Sequence, residues 1–98
     1  MTGRGGRNQH FALLCAQHIA AENIVILSAG SDGVDGNSAA AGAMVDGRTV
    51  ERASAANYSV ARAIEDFDSH GLLSNLGDAI VTGPTGNNLR DLRILLAP

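Results

Sequence analysis

Residues 24–36 read Ile24-Val25-Ile26-Leu27-Ser28-Ala29-Gly30-Ser31-Asp32-Gly33-Val34-Asp35-Gly36, and this stretch decides the fold. Its first seven residues are a continuous apolar run rich in β-branched side chains and closed by glycine, the pattern of a central strand covered on both faces. Two Asp-Gly steps follow at once. Their glycines permit positive φ and their carboxylates can bond nearby backbone N–H groups, so the strand ends in a sharp polar loop.

Upstream, Gly3 to Asn8 reads GRGGRN and runs into Phe11, Leu14, Cys15, His18 and Ile19 at helical spacing. This predicts a helix over Gln9–Ala21 with Asn8 as its N-cap and those five residues on the apolar stripe. Downstream, Ala43-Met44-Val45 and Thr49-Val50-Glu51 flank Asp46-Gly47-Arg48, which reads as a short hairpin. Ser54 can cap a helix from about Ala55 to Phe67, and Asp68 or Ser69 a shorter one through Leu72, Leu73 and Leu76, stopped by Gly77. Ala79–Thr82 reads as a second buried strand and Asp91 onward as a last one, separated by the glycine-rich Gly83-Pro84-Thr85-Gly86-Asn87-Asn88. Strands interleaved with helices give an α/β class: a small layered domain with a mixed sheet flanked by helices.

Composition narrows the function. At 98 residues the chain is one domain with a modest core, and 45% apolar against 17% charged residues excludes a disordered tail. No apolar run approaches the ~18 residues of a membrane span, and no signal peptide is legible at the N-terminus, so the expected setting is cytoplasmic, away from membranes. A net charge of −3 with 3% aromatics argues against nucleic acid. All seven cations are arginine. Without lysine, this chain holds neither a P-loop phosphate lysine nor a Schiff-base amine. The lone Cys15 cannot form an internal disulfide, and His10, Cys15, His18 and His70 lack zinc spacing, so no metal ligand is assigned.

Three loops combine glycine with polar side chains: Gly3–Asn8, Ser31–Gly36 and Gly83–Asn88. The second and third follow strands and should share the edge where an open α/β sheet takes its ligands. The first sits at a helix N-terminus beside Arg4 and Arg7, where open N–H groups, a positive dipole end and a guanidinium fork would suit a carboxylate or phosphate. The competing reading is a tight turn with a solvated charge. Asp32 and Asp35 divide evenly between turn-building and chemistry, while Cys15, His10 and His18 read most simply as structural.

GRGGRNQ opening a helix, then ILSAGSDGVDG, AAGAMVDG, DSHGLLSNLGD and VTGPTGNNLRDLRILL, resembles the MOFRL domain, the C-terminal part of class II glycerate kinases, proteins also labelled hydroxypyruvate reductases. The resemblance runs from Gly3 to Leu96. It implies ATP-dependent, Mg²⁺-assisted phosphorylation of D-glycerate to 2-phosphoglycerate, in a site between this domain and a larger N-terminal kinase domain absent from the chain. By that resemblance Arg7 and Asp32 are the catalytic candidates, with Arg4, Asn8, Asp35, Thr85 and Asn88 binding substrate. The isolated chain is then expected to be inactive. His10 stands where the family usually has Glu, Ser31 where Thr is common, and Asn37-Ser38-Ala39 where Pro-Thr-Asp is usual. The alternative is a non-catalytic truncated fragment or docking module. A nicotinamide-dependent reductase is disfavoured, since no GxGxxG follows a strand with an acidic residue ~20 positions on.

Overall fold

A computed structural model describes residues 3–85 and 91–97. In chain order the elements are α1 (Arg7–His18), β1 (Val25–Gly30), β2 (Gly42–Asp46), α2 (Thr49–Ala55), α3 (Val60–Glu65), α4 (Ser69–Leu76), β3 (Ala79–Ile80) and β4 (Asp91–Leu96). The strands form one sheet in the order β3-β2-β1-β4, so the α/β class holds and β1 lies at the interior. Every pairing is antiparallel, in place of the expected mixed sheet. Parallel neighbours need a crossover, usually a helix. Residues 31–41, between β1 and β2, hold no helix, so the chain returns antiparallel.

β1 alternates: Ile26, Ser28 and Gly30 are buried, and Val25, Leu27 and Ala29 are half-buried. Register places Ile26 beside Val45 and Leu95, and Ser28 beside Ala43 and Arg93, on the face that α1 covers. The opposite face aligns Leu27 with Met44 and Ile94, and it continues through Leu92 and Leu96. Met44, Leu92, Ile94 and Leu96 are between 43% and 61% exposed, so among the described residues the double cover expected for the central strand is present on one side only.

The core joins Ala12, Leu13 and Ala16 of α1 to Ile26, Ala43, Val45, Val60, Leu72 and Leu73. Of the five stripe residues read from the sequence only Ile19 reaches the core: Leu14 and His18 are exposed, while Phe11 and Cys15 flank it. Alanines on the inner side let α1 lie close to the sheet, and the burial of polar Asn8 and Gln9 sets its rotation.

Other expectations change for physical reasons. Thr49–Ala55 is helix α2 instead of a hairpin return, because both edges of β2 are already taken by β1 and β3. Thr49 turns inward, and its Oγ1 accepts from the Asp46 N–H at 2.9 Å. The long helix from Ala55 to Phe67 is interrupted at Asn57, which has φ +66°, and restarts at Ser59, whose hydroxyl accepts from the Arg62 N–H. Gly77, at φ +77°, ends α4 as expected, and the strand expected over Ala79–Thr82 shortens to Ala79–Ile80.

Candidate functional site

The site begins at the N-terminus of α1, which starts at Arg7 with Gly6 in the capping position, so Asn8 is not the N-cap. The cap comes from another loop. Asp35 is 2% exposed; its Oδ1 accepts from the Asn8 N–H at 3.0 Å and its Oδ2 from the Gln9 N–H at 2.8 Å. The side chains of Asn8 and Gln9 also donate to it, at 3.4 and 3.1 Å. A carboxylate here satisfies two of the orphan donors of the first turn and complements the helix dipole. The open anion hole expected from the sequence is therefore already occupied by this protein's own carboxylate.

With the dipole end capped, the available positive charge lies in the side chains. Arg7 projects with 75% of its side chain exposed, and its Nε and Nη2 donate to Asp91 Oδ2 at 2.5 Å and Oδ1 at 3.0 Å. Asn8 Nδ2 donates to the same Oδ1 at 3.0 Å. These bonds hold the Asp91 carboxyl below the usual carboxylate range, the Arg7 bond contributing most and Asn8 next. The Arg7 guanidinium is pushed up mainly by Asp91, with lesser help from the nearby charges of Asp35 and Asp32. Asn8 is itself buried, accepting from the Ser28 hydroxyl at 2.7 Å, so the cluster is braced against β1.

The structure brings the described parts of the three glycine loops together. Asn37, immediately after the second loop, receives the Gly5 N–H and donates to the Gly3 carbonyl, tying the first loop to the end of the second. Thr85 ties the third to the second: its N–H reaches the Asp32 carbonyl and its hydroxyl the Ser31 carbonyl. Asp32 is half-buried, and its Oδ1 accepts from the Val34 N–H two residues on, a turn-building bond. Arg4 is exposed; its backbone bridges to Asp68 and His70, and its guanidinium has no partner among the described residues. Asn88 lies outside the described residues.

Next to Arg7 opens a cavity of about 340 Å³ lined by Gly5, Gly6, Arg7, His10, Phe67 and Ser69. Phe67, 68% exposed and at φ +50°, stacks on His10 with centroids 4.8 Å apart. His10 Nδ1 is buried without a partner among the described residues. Among the described residues no group of three or more His, Cys, Asp or Glu side chains is arranged to hold a metal ion, and no helix is long and apolar enough to cross a membrane.

Reading the sequence missed two members of this site, Asp91 and Phe67. Asp91 carries a faint signal: it alternates with Arg93 and Leu95 on one face of β4, a polar start to a strand that is otherwise apolar on its other face. Phe67 carries none, since its exposure follows from a helix ending at Glu65, two residues earlier than its hydrophobicity suggests.

Residues 1–91 match the model of the MOFRL family. The chain is 41% identical over 93 residues to the D-glycerate 2-kinase of Thermotoga maritima, covering 94% of this chain and 22% of that protein. It is 37% identical over 95 residues to a putative hydroxypyruvate reductase of Agrobacterium vitis, covering 96% of this chain and 25% of that one. The crystal structure of Thermotoga maritima glycerate kinase superposes with a TM-score of 0.94 at 40% identity, over 99% of this chain and 24% of the other. The chain thus spans about a quarter or less of the length of these relatives.

Proposed function

From the premise that this chain belongs to the MOFRL family, we propose that it forms one wall of the active site of a glycerate 2-kinase, the facing wall being a larger N-terminal domain. The relatives carrying the glycerate 2-kinase name support phosphorylation of glycerate as the reaction; in this reading ATP is the phosphoryl donor and 2-phosphoglycerate the product. The observation that carries the reading is Arg7, an exposed guanidinium beside an open cavity and bonded along one edge to Asp91. Phosphoryl transfer asks a protein chiefly to position groups and to neutralise charge. Arg7, with Arg4 on the same loop, does the second; the Asp35-capped turn and Asn8 do the first.

When bound, ATP supplies the phosphoryl group, whose oxygens the free edge of Arg7 suits. Mg²⁺ fits this chain poorly: both oxygens of Asp35 are engaged with α1, and Asp32 uses Oδ1 in its own turn. No step is assigned to the metal here. A reductase reading gains nothing from the chain, which offers no dinucleotide fingerprint.

The test mixes this chain with the portion of Thermotoga maritima D-glycerate 2-kinase that it does not match, adds ATP, Mg²⁺ and D-glycerate, and measures ADP. Activity in the mixture, none from either part alone, and its fall to a low but measurable level with Arg7→Ala support the reading. Unchanged activity with Arg7→Ala and Asp32→Asn removes this site assignment. The second reading, a non-catalytic docking module, is favoured by the bare apolar sheet face, and it predicts a stable complex without turnover.

A further inference from the structure

We propose that Asp91 is a positioning residue for Arg7: its carboxylate grips the Nε and Nη2 edge of the guanidinium and thereby aims the remaining edge at the anionic group of the ligand. This rests on the reading of Arg7 as the ligand-facing cation.

The geometry is a fork against a fork, at 2.5 and 3.0 Å, which sets the plane of the guanidinium as well as its distance. Nη1 has no partner among the described residues. A side chain three-quarters exposed would otherwise sample many rotamers, and its charge would spread over a wide arc. Asp91 in turn is fixed. It opens β4, paired with Gly30 at the end of β1, and its Oδ1 also takes Asn8 Nδ2. Asn8 is locked from behind by Ser28 and Asp35. A continuous hydrogen-bonded path thus runs from the helix cap to the exposed cation, through three elements that share no local sequence. Asp91 is held ionised by the same bonds, so the grip persists throughout the neutral range.

A carboxylate beside a cation could instead serve only to offset its charge, and the two roles have opposite signs. Removing the negative charge raises the local positive potential, so a pure electrostatic role predicts tighter anion binding by an Asp91→Asn variant. Positioning predicts weaker binding.

The first measurement is a titration of the 98-residue chain with inorganic phosphate, followed by NMR at the Arg7 Nε–Hε group. The unaltered chain should show a single, slowly exchanging Hε that responds to phosphate. Asp91→Asn should broaden or lose that signal and weaken phosphate binding about tenfold. Arg7→Lys, which leaves Asp91 and β4 intact but cannot form the fork, should weaken it similarly, and it supplies the answer if Asp91→Asn does not fold. Equal or tighter phosphate binding in a folded Asp91→Asn chain, or undiminished binding by Arg7→Lys, overturns the proposal.

The second measurement uses the two-part enzyme described above. Asp91→Asn should lower kcat/KM by about 10–100-fold with Arg7 present, in line with the cost of misplacing a reacting contact. It should cause no further loss beside Arg7→Ala, and Asp91→Glu should recover part of the activity. The same fold-loss in both backgrounds marks a general structural role and overturns positioning. An inactive two-part enzyme built from the unaltered chain counts against the kinase reading, and the phosphate titration then decides the role of Asp91 alone.

Discussion

The carboxylate of Asp35 accepts a hydrogen bond from the backbone N–H of Asn8 at 3.0 Å, so helix α1 is capped by a residue twenty-seven positions further along the chain. A local cap would hold only the helix. This one fixes the loop after β1 to the start of α1 and sets the position from which Arg7 projects. Asp35→Asn should cost about 2–3 kcal/mol, because one carboxylate oxygen is replaced by an NH₂ group that faces backbone donors and leaves at least one buried N–H unpaired. Urea unfolding measures it; a loss below about 0.5 kcal/mol would mean that the cap is dispensable.

Acid stability should depend on Asp91. Its carboxyl titrates below the ordinary aspartate range in the fold, chiefly because Arg7 and Asn8 bond the ionised form. Between that lowered value and about pH 3.9, where an unfolded aspartate titrates, the unfolded chain binds more protons. Stability therefore rises with pH through this window; the contribution is complete above it and is lost as pH falls through the folded value. Arg7, raised further from an already high value, stays cationic throughout. Thermal midpoints from pH 6 to pH 2 should fall more steeply for the unaltered chain than for Asp91→Asn, and parallel curves would contradict the assignment.

Two glycines should respond in opposite directions. A Cβ on Gly6 would run into the Asp35 carboxylate and the Gly36 nitrogen, whereas one on Gly71, within α4, would meet nothing within 4 Å. Gly6→Ala should destabilise by about 2–3 kcal/mol through overpacking of the cap. Gly71→Ala should stabilise by about 0.5–1 kcal/mol through helix propensity. Denaturant midpoints for the pair give the check, and a neutral Gly6→Ala would show that the loop can yield.

The uncovered sheet face should make the isolated chain associate with itself. Sedimentation velocity is expected to show mass rising with concentration, and Ile94→Lys together with Leu96→Lys should return a folded monomer. Exposure of both side chains, 43% and 61%, makes the substitutions tolerable to the fold. A concentration-independent monomer from the unaltered chain would remove this prediction.

Cys15 should be sluggish toward alkylation. Burial pushes its thiol up, against a smaller opposite pull from Arg93, which stacks on the neighbouring Phe11 ring at 4.0 Å. Less thiolate at neutral pH means slower reaction. Iodoacetamide labelling at pH 7 should be several-fold slower than for the urea-unfolded chain, and an equal rate would refute the burial argument.

What the sequence made legible follows from how local each signal is. The run at residues 24–30 and the apolar run after Asp91 are strand signals complete within themselves, and the structure holds both strands there. Gly77 works the same way, since a left-handed helix end asks for glycine at one position. Thr49-Val50-Glu51 misled because β-branched residues favour strands only where a neighbouring edge is free, and β2 had none. The face of α1 was misjudged because its deepest first-turn residues are Asn8 and Gln9, which hydrophobic periodicity counts as outward-facing. In the site, Arg7 stood out through its glycine loop. Asp35 divides evenly between turn and chemistry on its residues, and the resemblance makes it a substrate-binding residue; nothing within its own loop encodes a helix cap on a distant segment. Asp91 was overlooked for the same reason, its partners lying more than eighty positions away.

The strand order β3-β2-β1-β4 joins the second element of the chain to the last, with Val25 opposite Leu96. A nascent chain emerges from its N-terminus, so α1 and β1 must wait for every other element before their sheet is complete. Until β4 docks, Arg7 has no Asp91, and its guanidinium swings without direction. Completion of the fold and orientation of the cation are consequently one event: a chain cut short before Asp91, or caught part-way through folding, presents the charge but not its aim.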